Sequence, residues 1–563
     1  MTRNGSKWMT TCAAAMMIAA LGTTSATVSA RQVSEARIKE LISQAAEQIG
    51  QPSATLQPVP QTAPSATQPV VRLTLDDAVK FALDRNLDIA VQRLNPEIQD
   101  IAIASASAVY HPTLTSLIGP QKATSLPTSQ TNLAANGAPV TDTVTYNGGV
   151  SQNIPRGGGF VSAQLNNFRR TNTSNNVTYN PLLQSNWQFA YIQPILRNFH
   201  IDSTRQTLAV TKINRDVSDV QLRATITNTL SNVRNAYWDY VFATQAVEVA
   251  KQSLSLATKL VQDNQTRVEV GTMAPIDVVS AQSEAATRRQ ALVQAESTRR
   301  TTELALKRLI VSGTQDPNWN ATLDAVDRPD FRAESVDVEA AIRRALSERT
   351  DIAIAKKTVE ANDITLKYLG DQLKPQADLQ VNYTTQGLAG TELVRSQTGV
   401  LGSSVTNQVP HALTEAFSSL FRGLYPVWSA QVNISYPLGL STQKASVARA
   451  RVQLNQVQAQ LKQIELQVAT DVTNAAIGVQ NNAEAVQAAQ AARELAMKKL
   501  EAEQSKFDVG ISTNFQVVLA QRDLADAQNT ELRNILSYRK ALVELERLQQ
   551  TTLGSLGITV IGR

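Results

Sequence analysis

Two long stretches of the chain repeat apolar residues every seven positions, which is the pattern of helices that pack side by side in a coiled coil. The first stretch carries Val247, Leu254, Val261 and Val268 on one row and Ala243, Ala250 and Ala257 on the next. The second carries Val447, Leu454, Leu461, Val468 and Ala475 beside Ala450, Val457 and Ile464. We therefore predict long helices whose apolar seams form a packing core rather than a cofactor site.

Between the helical stretches lie shorter segments in which apolar and polar residues alternate, as in a β-strand with two different faces. The alternation is clearest within 377–383, 428–436 and 187–191, and 112–119 is a weaker candidate. Each predicted strand has roughly the nine to eleven residues that cross a bilayer, with aromatic residues near its ends. By pattern alone the segments also fit a soluble sheet with one wet face.

A further pair of segments, 144–153 and 160–168, is joined by Ile154-Pro-Arg-Gly-Gly-Gly159 and predicts a β-hairpin. This hairpin is either an outer loop or two additional membrane strands. The sequence leaves both interpretations open.

One short stretch occurs twice and separates two helical patterns each time. Residues 265–282 return as 504–521, with Gly271 and Gly510 in register and the same closing Val-Val-x-Ala-Gln. Glycine accepts the left-handed conformation that ends many helices, and Pro275 is well placed at the start of the next helix. We predict a tight turn between two antiparallel helices in both places.

The opening of the ordered chain is repeated as well, because 73–91 aligns with 336–354. This internal two-fold repeat predicts two homologous halves, each running helix, strands, long helix, turn, helix. The predicted division of the chain is a signal peptide at 1–30, a flexible extension at 31–72, the first half at 73–312, a mid-tunnel connector at 313–335, the second half at 336–553 and a tail at 554–563.

Helix starts and breaks can be predicted from the same segments. Thr74-Leu-Asp-Asp77 is expected to cap the first helix, which reaches Tyr110 with breaks at Asn86 and Pro96. Ser203 and Ser441 are expected to cap the two long helices.

The helix lengths predict how the helices lie together. At 1.5 Å per residue, 205–270 spans on the order of 100 Å, whereas 275–311 and 75–110 span about 55 Å each. One long helix therefore matches two shorter helices laid end to end, with 313–330 near the middle.

Composition and charge exclude several classes of function. The chain has 563 residues with 53 basic and 48 acidic side chains, scattered without the basic patch that nucleic acid requires. His111, His200 and His411 are isolated, and no catalytic motif is present. Arg156-Gly-Gly-Gly159 lacks the lysine and helix of a nucleotide site. We expect no enzyme activity, cofactor or metal.

The N-terminus has the features of a secretory signal: Arg3 and Lys7, an apolar core at 13–21 and a cleavage site at 28–30. The only cysteine, Cys12, lies within it, so the mature chain is expected to form no disulfide or thiolate metal site. No other apolar run approaches twenty residues, and membrane contact would therefore use β-strands.

Secretion, the missing cysteines and the need for closure favour membrane strands over the soluble sheet. Four strands, or even six, do not close a barrel, and lipid does not tolerate an open sheet edge. Several chains would then share one barrel, with helices continuing as a cylinder below it. The Gln, Asn, Ser and Asp face of the strands would line a watery lumen, which makes a conduit.

Several motifs resemble those of TolC-like outer-membrane efflux proteins over about 73–553. They are the repeated turn, the Leu-Asp-Asp-Ala opening, Gln193-Pro-Ile-Leu-Arg197, Asn235-Ala-Tyr-Trp-Asp239 and Tyr436-Pro-Leu-Gly439. The resemblance implies an α+β fold: a homotrimer with a twelve-stranded outer-membrane β-barrel, four strands per chain or more, continued by a periplasmic antiparallel coiled-coil tunnel. It also implies an exit duct for a tripartite efflux pump or type I secretion system.

The resemblance further implies partners and sites. The expected partners are two more copies of the chain, a periplasmic adaptor, an inner-membrane pump reached through that adaptor, and the lipid of a Gram-negative outer membrane. The turns correspond to adaptor-docking sites: Val270, Gly271 and Thr272, and Val509, Gly510 and Ile511. Glycine there fits close approach of a partner backbone, but it equally fits a simple helix C-cap.

The tunnel entrance departs from the family's pattern. Its best-known members close the tunnel with aspartates and an arginine in the second-half turn, where this chain has Gln516, Leu519 and Ser512. Asp277 in the first-half turn remains as a carboxylate for the entrance. It also fits a favourable charge at a helix start.

A second hypothesis is a periplasmic coiled-coil adaptor or tether with a soluble β-domain and no channel. It is extracted without detergent, whereas a duct is not. The strands placed symmetrically in both halves favour the duct. The exported substrate, the pump that is served and the role of 31–72 do not follow from the sequence.

Overall fold

The computed structural model of the chain describes residues 70–126, 134, 137–328, 330–396, 404–436, 438–439 and 442–558. All of them belong to Val59–Arg563, the second of the two units into which contacts divide the chain. The predicted signal at 1–30, nearly all of the predicted extension at 31–72, and Ser441 lie outside the described residues.

Four helices of the first half have counterparts in the same order in the second, which also contains one additional helix. Those of the first half are α1 (Leu75–Arg85), α2 (Leu87–Ser107), the first long helix α3 (Ser203–Glu269) and α4 (Pro275–Ile310). A short α5 (Pro317–Asn320) follows. The second half has α6 (Val338–Glu348), α7 (Thr350–Asp371), the additional helix α8 (Leu413–Phe421), the second long helix α9 (Thr442–Asp508), α10 (Asn514–Leu548) and α11 (Thr552–Ser555).

Seven strands form one antiparallel sheet at one end of the helices. They are β2 (Thr113–Thr124), β3 (Val140–Asn153), β4 (Phe160–Asn172), β5 (Tyr179–Pro194), β7 (Gln376–Arg395), β8 (Val405–His411) and β9 (Pro426–Ser435). The order is β2-β3-β4-β5-β7, after which β9 and β8 pair with the first and last parts of β7. The predicted hairpin at 144–168 is confirmed as β3 and β4.

The long helices pack against shorter helices arranged end to end, as their lengths predict. Near the sheet the lateral order is α2-α3-α7-α9, and toward the other end it is α4-α3-α10-α9. Four helices therefore lie abreast at both levels. One edge of this layer is formed by α2 and α4, and the other by α9.

A small parallel ladder fixes the region where the short helices meet. β1 (Val70–Leu73) pairs with β6 (Thr322–Ala325), and both cover the buried face of α3. The hydroxyls of Tyr237 and Tyr240 donate to the carbonyl oxygens of Leu73 and Leu323. β1 and β6 are thus held to the first long helix by two buried tyrosines.

Three local expectations are wrong. Asn86 does end α1 and begin α2, but Pro96 lies inside α2 without ending it, because packing of α2 on α3 outweighs the cost of the proline. Asp202, not Ser203, caps α3, and its carboxylate accepts from the Arg205 amide at 2.8 Å. Residues 70–72 belong to β1 and not to a flexible extension.

The helices of the described residues include none that is both long and apolar enough to cross a membrane.

Candidate functional site

The end of the helices farthest from the sheet carries two turns, which we call the first tip (270–277) and the second tip (509–516). Each tip turns on a left-handed glycine, with φ of 77° at Gly271 and 81° at Gly510. Around Gly271, the Gly271 and Thr272 amides donate to the Val268 and Arg267 carbonyls at 3.0 and 2.9 Å. This is a Schellman motif, and the predicted helix–turn–helix is confirmed.

The second tip repeats the same two bonds. The amides of Gly510 and Ile511 donate to the carbonyls of Phe507 and Lys506 at 3.1 and 3.0 Å. A β-carbon added to either glycine would meet nothing within 4 Å. Within this chain the glycines are therefore needed for backbone conformation rather than for close packing.

The helices that leave the tips begin differently. α4 begins at Pro275 without a side-chain cap, whereas Thr513 caps α10 by accepting from the Gln516 amide. A proline needs no amide partner at this position, so the first tip loses little by lacking a cap.

A buried asparagine pair joins the two tips. Asn264 on α3 donates through Nδ2 to Oδ1 of Asn514 at 2.9 Å, and both side chains are buried. Asn514 in turn donates to the backbone oxygen of Asp277 at 3.2 Å. One side chain of the second half thereby holds both helices of the first tip.

Arg267 makes a second link between the halves. Its guanidinium lies 4.4 Å from the ring centroid of Phe507 and donates to the Phe507 carbonyl and the Asp508 carboxylate, both at 3.1 Å. Phe507 also packs in a buried hydrophobic cluster with Leu260 and Val517. Stacking and hydrogen bonds together fix the end of α3 against the end of α9.

A buried carboxylate provides a third link between the halves near the tips. The side chain of Glu284 on α4 is 3% exposed and accepts from Arg522 on α10 and from Arg288 on its own helix. Burial acts to raise the pKa of Glu284, but the hydrogen bonds and charges of Arg522 and Arg288 outweigh it and hold the pKa below its ordinary value. Glu284 is therefore a carboxylate at neutral pH.

The outer surface of both tips is apolar. Val270 and Ile276 on the first tip are 68% and 67% exposed, and Val509, Ile511 and Phe515 on the second are 71%, 76% and 68% exposed. Thr272, Gly271 and Gly510 are exposed beside them. The residues predicted for docking are thus exposed on both tips, where large apolar side chains lie next to accessible backbone.

The two residues predicted for the tunnel entrance lie at the starts of the helices after the tips. Asp277 is half-buried in the first turn of α4, and Gln516 is exposed in the first turn of α10. In the described part of the chain, no salt bridge pairs with the Asp277 carboxylate. The structure joins the tips through Asn514 and the Asp277 backbone, not through the Asp277 carboxylate.

A second candidate site runs along the edges of the molecule. On α2 the apolar side chains of Leu87, Val91, Leu94 and Ile98 are each more than half exposed and follow the four-three spacing of a coiled-coil seam. Across the layer, α9 exposes Val452, Leu466 and Leu495. Among the described strands, β2 pairs with β3 alone and β9 with β7 alone, so both sheet edges are also open.

The open edges coincide. β2 follows the α2 edge of the helical layer, and β9 precedes the α9 edge. One side of the molecule therefore ends in a strand edge above an apolar helix, and so does the other. The spacing at 87–98 could have revealed this surface from the sequence, whereas the links at Asn264, Arg267 and Glu284 have no local signal.

The sequence and the fold were compared with those of known proteins. A family model described as "Outer membrane efflux protein" matches residues 79–311 and 341–549. None of the curated proteins matches the sequence.

Three of the similar solved structures are outer membrane proteins. The Campylobacter jejuni CmeC outer membrane channel has a TM-score of 0.59 at 13% identity, over 84% of this chain and 85% of that chain. The outer membrane protein VceC of Vibrio cholerae has a TM-score of 0.58 at 14% identity, over 84% and 95%. The open state of the Neisseria gonorrhoeae MtrE outer membrane channel has a TM-score of 0.57 at 16% identity, over 84% and 88%. At these identities the similarity concerns the fold alone.

Proposed function

The chain belongs to the outer membrane efflux protein family, and on that premise we propose that it is the outer-membrane exit duct of a tripartite efflux pump or type I secretion system. Three copies enclose a passive conduit from a periplasmic adaptor and its inner-membrane pump to the exterior. The duct conducts without catalysing a reaction and without a cofactor.

The observation that carries this proposal is the coincidence of open edges on the two sides of one chain. Apolar residues on α2 and α9 are left exposed, and β2 and β9 lack an outer partner among the described strands. When the β2–α2 side of one copy meets the β9–α9 side of the next, β2 pairs with β9 and the exposed apolar residues of α2 pack against those of α9. A single contact therefore covers both strand edges and both helix edges. Such a head-to-tail contact forms a closed ring when the rotation closes.

The two faces of the sheet suit lipid on one side and water on the other. Paired positions of β5, β7 and β9 form an apolar sheet face: Trp187, Phe189, Tyr191, Leu379, Val381, Tyr383, Trp428, Ala430, Val432 and Ile434. The opposite, polar sheet face carries Asn186, Gln188, Gln380, Asn382, Ser429, Gln431 and Asn433. Gln431 and Asn433 both donate to Gln380 across the strands, at 3.1 and 3.2 Å.

The strand length also fits a membrane. β9 has 10 residues. At about 3.3 Å per residue and a tilt of about 40°, such a strand rises about 25 Å, the height of an outer-membrane apolar band.

The tips are proposed as the docking surface for the periplasmic adaptor. Exposed Val270, Ile276, Val509, Ile511 and Phe515 offer apolar area, and the exposed glycines let a partner backbone approach. In a ring of three copies, Asp277 supplies three carboxylates at the entrance, with Gln516 in the matching position of the other half.

Detergent extraction and single-particle imaging test the proposal. We expect three-fold cylinders with a detergent belt at one end and a helical part on the order of 100 Å long, since α3 and α9 each have 67 residues. A water-soluble monomer or dimer without a belt contradicts the duct and supports the coiled-coil tether. Binding of the adaptor to Val509→Asp and Ile511→Asp variants, which should weaken it, tests the tips separately from the channel.

A further inference from the structure

The hairpin β3–β4 lies within the sheet and not beside it. β3 pairs with β2 along all of β2, from Thr113 with Ser151 to Thr124 with Val140. β4 pairs with β3 on one side and with β5 on the other. β2 therefore does not contact β5, and the hairpin separates the two strands over their whole length.

The turn of the hairpin reaches the helical end of the sheet. Gln152 and Asn153 donate to the carbonyls of Tyr110 and Val109, at the end of the first-half helices, both at 3.1 Å. Gln193, at the end of β5, donates to the Gly157 carbonyl at 2.8 Å. A hairpin that only extended an outer loop would not approach these groups, so β3 and β4 run the full height of the sheet.

The two faces of the sheet continue through the hairpin. On the side of Trp187 and Phe189, most of the paired positions are apolar or small: Leu114, Ile118, Val144, Tyr146, Gly148, Val150, Val161, Ala163 and Leu165, with Ser116, Gln152 and Asn167 as the polar exceptions. On the side of Asn186 and Gln188 they are mostly polar: Thr113, Thr115, Thr145, Asn147, Ser151, Ser162, Gln164 and Asn166.

Within the strands of the hairpin, the charged residues lie at the end away from the helices. On the apolar side they begin with Asp142 and Arg169, at the end of the sheet away from the helices. Lys122 lies opposite Asp142 at the same end. The part of the hairpin between these charges and the turn therefore presents an uncharged and mostly apolar surface continuous with that of β5.

Six strands also match the width of the helical layer. Four helices abreast, with axes about 10 Å apart, span about 40 Å. Strands about 4.8 Å apart and tilted by about 40° give about 38 Å for six strands but only about 25 Å for four. The sheet can thus continue the layer without a constriction.

From these observations we propose that β2, β3, β4, β5, β7 and β9 all cross the outer membrane, so that each copy contributes six strands and a ring of three has eighteen. The six-strand inference rests on the proposed function of the protein as an outer-membrane duct. The even number leaves β2 and β9 antiparallel, as pairing between copies requires. The barrel is about 1.5 times as wide as one of twelve strands, and its solute is one that needs a porin-sized opening.

Nitroxide labels on single cysteines test the hairpin in the assembled protein. With Cys12→Ser as background, the variants are Leu165→Cys and Gln164→Cys on β4, and Val381→Cys and Gln380→Cys on β7 as matched controls. In lipid nanodiscs, collisions with oxygen report hydrocarbon and collisions with a nickel chelate report water. Val150→Cys and Ser151→Cys repeat the comparison on β3 if a β4 variant does not assemble.

We expect the labels at 165 and 381 to be equally inaccessible to the nickel chelate, whereas the labels at 164 and 380 should be accessible to it. A label at 165 that is open to nickel while 381 is protected places the hairpin outside the membrane and overturns six strands, leaving the duct intact. Nickel access at both 165 and 381 contradicts the duct itself, and six membrane strands with it. Imaging of the same particles should show eighteen strands in cross-section, and twelve overturns the proposal.

Discussion

The first and second tips share a backbone but differ in how their side chains support it. Both end a 67-residue helix in the same Schellman motif on glycine. Yet the side chains at equivalent positions of the two tips, which are 239 residues apart, have different partners. Arg267 reaches across to Phe507 and Asp508, whereas its equivalent Lys506 pairs with Glu503 in its own helix.

The carboxylates behind the tips differ in the same way. Glu284 is buried and bound by Arg522 of the other half, whereas the side chain of its equivalent Asp523 is 40% exposed and bound by Lys499 of its own half. The two tips thus share a turn, whereas the links across them use different residues from each half: Asn264, Arg267 and Glu284 from the first and Asn514, Phe507 and Arg522 from the second. A shared backbone and an asymmetric linkage are separate properties, and substitutions can separate them.

The largest difference in tip stability is expected between the variants Glu284→Gln and Asp523→Asn. Glu284→Gln removes a buried charge bound by two arginines and should destabilise the tip by about 2 kcal/mol, whereas the exposed Asp523 pair should contribute less than about 1 kcal/mol. Hydrogen exchange of amides in 264–284 measures the opening free energy locally. Equal effects of the two substitutions would show that the burial of Glu284 does not matter.

The same carboxylate should make the first tip sensitive to acid. The pKa of Glu284 is below its ordinary value of 4.5, so its stabilisation is complete above that range and is lost as the pH falls through the folded-state pKa. After correction for intrinsic exchange rates, protection of 264–284 should fall below about pH 4.5 in the native chain. Glu284→Gln should abolish most of this dependence, and a variant that keeps it would assign the effect to another group.

Changes at the two glycines should have equal effects, because the backbone is the shared property. Gly271→Ala and Gly510→Ala each place a β-carbon on a left-handed residue, at a cost of about 1 kcal/mol, with no clash nearby. Asparagine tolerates this conformation, so Gly271→Asn should restore exchange protection. If Gly271→Asn restores the turn but not adaptor binding, glycine is needed for close approach, and if it restores both, glycine is only a helix cap.

The smallest effect is expected at the stacked arginine. Arg267→Lys keeps the charge but loses the planar stacking on Phe507, which should lower tip stability by up to about 1 kcal/mol. Lys506→Arg, in the equivalent position, should leave exchange unchanged because its partner Glu503 lies one turn away on the same helix. A comparable loss from both would mean that stacking on Phe507 contributes nothing specific.

Most of the helical architecture could be predicted because its causes are local. The seven-residue period, the glycines and Pro275 act within a few positions, and α4 begins at Pro275 as expected. The resemblance implies four membrane strands per chain or more, and the main sheet of the structure has seven strands. The family assignment is confirmed by the model match, whereas the roles of the tip residues stay predictions.

What could not be predicted depends on contacts between distant parts of the chain. Nothing near 70–73 indicates a parallel partner at 322–325, and nothing near Asn264 indicates Asn514. Pro96 was expected to break its helix, because the packing of α2 on α3 is absent from a local reading. Asp202 and Ser203 are both good caps, and the sequence alone does not rank neighbouring candidates.

The equal length of the two long helices limits how the chain can change in evolution. Inserting one heptad into α3 alone would move the first tip by about 10 Å relative to the second and separate Asn264 from Asn514. A lineage with a longer or shorter helical layer would therefore have to alter both halves together. The length of each half constrains the length of the other, so the length of the layer is inherited as a matched pair of distances.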